Sequence, residues 1–190
     1  EGRSGFVRLD FNENTDAGAQ GQYPEYSALL EAISSAYDLP TSCILPTNGS
    51  GEGLFLTTFT FIEPHRDRAV TSSPTFSLIP HYLKLNGAYL LEIPVCEDLR
   101  FDLDGIERAL FSGVKLAVFA SPDNPTGASL PEEQLTSWLE NYPGTLFLVD
   151  EAYAEFSGRS ILPLIDKFEN LLVSRTFSKA WGMANLRLGF

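Results

Sequence analysis

Two hydrophobic periods take turns along this chain, and their alternation restricts the fold more than any other feature. Short apolar runs recur as CILPT (43–47), RAVTSS (68–73), AYLLEIPV (88–95), VKLAVFAS (114–121), TLFLVDE (145–151) and LLVSRT (171–176). Most are apolar at successive positions, as strands covered on both faces are. Between them lie helix-period segments: GEGLFLTTFTFI (51–62), TFSLIPHYLKLNG (75–87, with Pro80 in its first turn and Gly87 at its end), DLDGIERALF (102–111) and PEEQLTSWLENY (131–142). Ahead of them, YPEYSALLEAISSAY (23–37) spaces Tyr26, Leu29, Leu30, Ile33 and Tyr37 as one face of a helix, with Pro24 suited to its first turn. Strand and helix in regular exchange predict an α/β fold around a mostly parallel sheet, one domain from about residue 40 onward.

Composition narrows what such a domain serves. The 190 residues are 44% hydrophobic and 20% charged, enough apolar material for a well-buried core. A formal net charge of −12 argues against a broad basic surface for nucleic acid or anionic membrane, so the expected partner is a small molecule. Cys43 and Cys96 sit in separate apolar runs without metal-ligand neighbours, and read as buried free thiols of a reduced, cytoplasmic compartment. No apolar run approaches the roughly 18–20 residues of a membrane span, and the opening EGRSGFVRLDF has no signal-peptide pattern. No metal site is expected.

The unusual polar residues fall where strands end. TNGSGEG (47–53) follows the first run, SPTF (73–76) the second, SPDNPTG (121–127) the VKLAVFA run, DEAY (150–153) the TLFLV run and RTFSK (175–179) the last. In a parallel α/β sheet these ends share one edge, and ligands bind in the crevice outside it.

Each motif has two readings taken alone. The glycine loop Gly49, Ser50, Gly51, Gly53 is a phosphate cradle at a helix start or a plain strand-to-helix turn, and it matches neither an ATP-binding P-loop nor a dinucleotide fingerprint. Asp150, a carboxylate ending a buried strand, calls for a cation such as a protonated ring nitrogen, or serves as a cap or in a structural ion pair. Tyr153 aims its phenol at the same ligand or packs, and Asn124 donates an amide into the crevice or shapes an NPTG turn. Lys179 among aromatic and hydroxyl residues has the setting of a partly desolvated amine, which forms an imine with an aldehyde; the alternative is a solvated surface lysine. Thr176, Ser178 and Arg187 add donors suited to phosphate oxygens.

Together, TNGSGEG, PTF, NPTG, VDEAY and SRTFSKAWGMANLRLGF (174–190), with LDFNENT (9–15) and QYPEYSALLEAIS (22–34), resemble the histidinol-phosphate aminotransferase family of fold-type I pyridoxal-phosphate enzymes. The resemblance implies a three-layer α/β/α large domain at 40–190, an N-terminal arm with the first helix at 1–39, and a further small C-terminal domain not contained in these residues. It implies pyridoxal 5'-phosphate as cofactor and ping-pong transamination between an amino donor and a 2-oxo acid, histidinol phosphate and 2-oxoglutarate. Position by position it makes Lys179 the covalent anchor and proton carrier. Asp150 becomes the partner of the pyridine nitrogen, Asn124 and Tyr153 donors to the ring oxygen, and Phe76 the stacking ring. Ser50, the Gly51 amide, Thr176, Ser178 and Arg187 become the phosphate site. Tyr23 would reach the phosphate of the other subunit, which makes a homodimer part of the site.

Three positions depart from the family pattern: Gly51 where aspartate is common, Asp123 where asparagine often stands, and Asn185 where glycine is usual. These 190 residues alone are expected to be inactive as a transaminase. Other enzymes of the same fold, an aromatic aminotransferase or a phosphothreonine-type decarboxylase, would use the same cofactor residues, and NENT (12–15) favours histidinol phosphate. A pyridoxal-phosphate-binding regulatory module without turnover, or a nucleotide-binding α/β domain, are the alternatives from other classes.

Overall fold

The structure, a computed structural model, describes residues 25–190. The chain divides into two compact units, Glu1–Leu45 and Pro46–Phe190.

In the first unit, α1 (Ser27–Tyr37) forms where the helical spacing predicts it and ends at Asp38 in the left-handed region, φ 54°. Tyr23 and Pro24 lie outside the described residues. The expected strand at CILPT does not form. Thr41–Cys43 is a single 3-10 turn, and the residues after it run extended without a ladder. Pro46 lies within the run and Pro40 shortly before it, and neither can donate to a neighbouring strand.

The second unit is built on five parallel strands: β1 (Arg68–Ser73), β2 (Tyr89–Pro94), β3 (Leu116–Ala120), β4 (Leu146–Asp150) and β5 (Leu171–Ser174), in the order β2-β1-β3-β4-β5. The helices α2 (Ser50–Phe61), α3 (Leu78–Leu85), α4 (Leu103–Phe111), α5 (Glu132–Asn141) and the short α6 (Ala154–Ser157) follow strands or loops as the alternation demands. Pro80 is the third residue of α3, within the first turn whose N–H groups have no intrahelical acceptor, so the ring is accommodated.

Successive strand residues feed opposite layers. Val70, Ala117, Phe119, Phe147, Val149 and Leu171 pack with Ile106, Leu110, Leu135, Trp138 and Leu139 of α4 and α5. Ala69, Leu116, Val118, Ala120 and Leu148 pack with Leu54, Ile79 and Leu83 of α2 and α3. That is why the central runs are apolar throughout rather than alternating: both faces are covered, giving the three-layer α/β/α arrangement. β2 is the exception, an edge strand with Tyr89 exposed and a proline at its end.

The reversal of strand order lies between β1 and β3. These two strands pair only at Ala69–Leu116 and Val70–Ala117, whereas β3 and β4 stay paired from Leu116–Leu146 to Ala120–Asp150. Beyond Val70 the ladder opens, and the C-terminal edge of the sheet has a crevice at its switch point.

Both cysteines are exposed, which corrects the expectation of buried thiols. Cys43 closes the 3-10 turn, and Cys96 sits in a turn beyond the end of β2, its N–H donating to the Arg100 carbonyl. Neither belongs to a ladder that would carry it into the core. Among the described residues no helix is long and apolar enough to cross a membrane.

Candidate active site

Asp150, the last residue of β4, forms the floor of the crevice. It is 2% exposed, and its Oδ1 has no hydrogen-bond partner. Burial pushes its carboxyl up to about 7, against the pull of the Ala152 backbone N–H, of Ser174, its register partner on β5, and of Lys179; neighbouring Glu151 adds to the rise. An acceptor aimed into a cleft with no donor facing it is costly, and a cationic donor placed there relieves that cost.

Above Asp150 is a small, open cleft. Six of the residues singled out in the sequence line it: Ser50, Phe76, Asn124, Asp150, Tyr153 and Lys179, with Ala120, Pro122 and Ala152 between them. They come from five places in the chain: the start of α2, the loops after β1 and β3, the β4 end and the segment after β5. Lys179 Nζ lies 5.4 Å from the centre of the Tyr153 ring, a cation–π distance. The expectation of a partly desolvated lysine is not met, because Lys179 is exposed in this structure. It stands in a bend past the end of β5, beyond the sheet and the helices that would bury it.

The phosphate-type donors gather on the wall beside Ser50. The chain end Leu188–Phe190 folds back between two segments: Thr47 and Gly189 exchange both backbone hydrogen bonds (2.9 and 3.0 Å), the Phe177 N–H donates to the Leu188 carbonyl (3.0 Å), and Arg175 exchanges bonds with Phe190 (2.7 and 3.0 Å). This strap joins the glycine loop to the RTFSK segment. Gly189 has no room for a side chain, since a Cβ there would lie 2.7 Å from Ser50 N and from the Arg175 carbonyl. Thr176 Oγ1 is 3.1 Å from Ser178 Oγ, and Arg187 Nη1 is 3.5 Å from Ser178 Oγ while donating to the Ala184 carbonyl at 3.1 Å. Arg187 has φ 51°, in the region L-residues avoid, and its guanidinium rests on Gly49, where a Cβ would come within 2.8 Å of Nη2.

α2 begins at Ser50 with no side-chain cap on Gly49, so the unbonded N–H groups of its first turn and its positive dipole end sit on this wall. Glu52, at the third helical position, instead accepts the Asn48 N–H at 2.6 Å and fixes the loop from outside. Gly51 is the second helical residue, and a Cβ added there would face Leu78 at 3.4 Å. Tyr23 lies outside the described residues.

Two supports carried no signal of their own in the sequence. Thr75 Oγ1 donates to Asp123 Oδ1 at 2.5 Å across the crevice. Behind Asp150, the buried Arg175 pairs with Glu151 (2.7 Å) and Glu155 (2.9 Å) and donates to Ser160 Oγ (2.6 Å). Burial raises the Glu151 carboxyl while Arg175, the Ile161 N–H and Ser160 oppose the rise. Charged residues at two strand ends, Asp150-Glu151 at one and Arg175 at the other, are the one hint available before folding.

The histidinol-phosphate aminotransferase of Pyrococcus furiosus is 38% identical over 186 residues, 96% of this chain and 50% of that protein. The enzyme of the same name from Desulfitobacterium hafniense is 37% identical over 205 residues, covering 97% of this chain and 56% of its own length. The chain spans about half the length of these curated relatives. Among solved structures, the histidinol-phosphate aminotransferase of Sinorhizobium meliloti in complex with pyridoxal-5'-phosphate superposes with a TM-score of 0.81 at 29% identity, over 91% of this chain and 48% of that one. The model of the family described as aminotransferase class I and II matches residues 7–190, and the chain belongs to that family.

Proposed function

We propose that this chain is the cofactor-binding part of a pyridoxal-phosphate-dependent transaminase that moves the amine of histidinol phosphate to 2-oxoglutarate. The observation that carries the reading is the unpartnered Oδ1 of fully buried Asp150 at the floor of a cleft whose rim holds Lys179. The donor set fits the cofactor: a buried carboxylate for the ring nitrogen, an amide and a phenol for the ring oxygen, an aromatic face, and hydroxyls with a guanidinium for phosphate. When bound, pyridoxal phosphate supplies an aldehyde for the substrate amine and a ring that accepts the electron pair left at the substrate Cα.

The residues divide the work. Asp150 keeps a proton on the ring nitrogen, and Asn124 and Tyr153 orient the ring oxygen. Phe76 covers one face of the ring and excludes water there. Ser50, the Gly51 amide, Thr176, Ser178 and Arg187 hold the phosphate. Lys179 Nζ would anchor the cofactor covalently and, once freed, would carry the proton between the substrate Cα and the cofactor. The names of the Pyrococcus and Desulfitobacterium relatives support histidinol phosphate as donor.

The same reading places the enzyme in the cytoplasm as a homodimer, with Tyr23 reaching the partner's phosphate. In support of the dimer, α2 leaves Phe55, Leu56, Phe59 and Phe61 between 36% and 42% exposed.

The test is an absorbance titration of the protein that carries this chain with pyridoxal phosphate, followed by borohydride reduction and peptide mapping. The reduced cofactor is expected on Lys179 and absent in Lys179→Ala, with turnover of histidinol phosphate and 2-oxoglutarate well above that of aromatic amino acids. Trapping on another lysine, or none, would overturn the site. Preference for an aromatic donor would overturn the substrate alone.

A further inference from the structure

The ring-covering residue and the ring-oxygen donor stand on different loops, and the sheet does not tie those loops together. Phe76 follows β1 and Asn124 follows β3, but the β1–β3 ladder ends at Val70–Ala117, before either loop begins. Among the described residues, one hydrogen bond joins them: Thr75 Oγ1, adjacent to Phe76, to Asp123 Oδ1, adjacent to Asn124.

Asp123 is built for that task. It is 5% exposed, and among the described residues no cation pairs with it in a salt bridge. Its charge is met by donors: Thr75 Oγ1 on Oδ1, and on Oδ2 the Thr126 hydroxyl (2.8 Å) and the Thr126 N–H (3.4 Å). The Thr126 hydroxyl donates to the acceptor-only carboxylate and itself accepts the Ala128 N–H at 3.2 Å. The Asp123 main chain is pinned too, its N–H donating to the Ala128 carbonyl at 2.7 Å and its carbonyl accepting from Gly127 at 2.9 Å. Three donors converge on an acceptor-only group, and the carboxylate accepts from all of them.

We propose that Asp123 is a positioning residue: through Thr75 its carboxylate holds the Phe76 ring and the Asn124 amide in register across the split in the sheet. The proposal rests on the cleft being a pyridoxal phosphate site. It gives a physical role to the aspartate that precedes Asn124, since an open ladder needs a side-chain strut where paired strands would need none.

The test compares Thr75→Val, Thr75→Ser and Asp123→Ala, reading the dissociation constant of pyridoxal phosphate, the visible circular dichroism of the bound cofactor and the melting temperature of the apoprotein. Thr75→Val is expected to weaken binding about tenfold and reduce the dichroic band with the apoprotein melting as the native does. Thr75→Ser, which keeps the hydroxyl, is expected to restore both. Asp123→Ala is expected to weaken binding at least as much, and Thr75→Val added to it to cost nothing further. Native binding by Thr75→Val, a Thr75→Ser variant as weak as it, or additive losses in the double variant would overturn the strut while leaving the cofactor site standing. Failure of the native protein to bind pyridoxal phosphate would overturn both.

Discussion

Asp150 holds its place in the core at a cost that depends on pH. Its carboxyl is raised by burial from an ordinary 3.8 to about 7, so between these values the folded chain keeps a proton that the unfolded chain releases. Stability of the apoprotein therefore falls as pH rises through this window, and the loss is complete above about pH 7. Asp150→Asn is expected to match the native protein at pH 4 and to exceed it at pH 8 by an amount on the order of a few kcal/mol, measured by urea unfolding at both pH values. An equal pH response in the two proteins would show that Asp150 is not the group responsible. On the opposite wall, Gly49 is required both by its φ of 75° and by the Arg187 guanidinium, which would lie 2.8 Å from an added Cβ. Gly49→Ala is expected to displace Arg187 and weaken pyridoxal phosphate about tenfold, with pyridoxal lacking the phosphate bound as before. An equal loss for both ligands would place the damage in the fold instead.

The ends of β4 and β5 are held in register by side chains as well as by the ladder. Arg175 is buried with Glu151, their side chains 6% and 3% exposed, and it also reaches Glu155 and Ser160 from a strand that spans only Leu171–Ser174. A buried pair of this kind contributes little against an apolar substitute, but removing one partner strands the other charge. Arg175→Met is thus expected to destabilise the unit by about 3–5 kcal/mol in chemical unfolding. Removing the stranded charges as well, in Arg175→Met with Glu151→Gln, is expected to recover part of that loss. These short elements were legible before folding: five of the six apolar runs became strands, and four of those, all but β2, end at a motif that the crevice uses. CILPT failed for a local reason, Pro46 within it and Pro40 shortly before, which the apolar count alone does not weigh.

Across the molecule, the parallel ladder orders stability from the centre outward. β3 and β4 have neighbours on both sides and residues that are almost wholly buried, whereas β2 has one neighbour and an exposed Tyr89. Amides of β3 and β4 are expected to exchange slowest with solvent and those of β2 at least about tenfold faster, by native-state hydrogen exchange. Protection of β2 equal to that of β4 would mean that its outer edge is covered.

By itself the sequence determined the layers and the edge on which chemistry sits. Apolar runs without alternation demand cover on both faces, and parallel strands send their following loops to one side. Lys179, Asp150, Asn124 and Tyr153 were legible because each is a polar group at or just past a strand end, Ser50 from its glycine loop, and Phe76 from the family resemblance. Only the tertiary structure decided how those ends are spaced and braced. The opening between β1 and β3, the Thr75–Asp123 bond across it, the Leu188–Phe190 strap that brings Arg187 onto Gly49, and the exposure of Lys179 and both cysteines join or separate residues far apart in the chain. Local periodicity reports which face a residue prefers, whereas distance across a crevice depends on where the ladder ends, and no single segment encodes that.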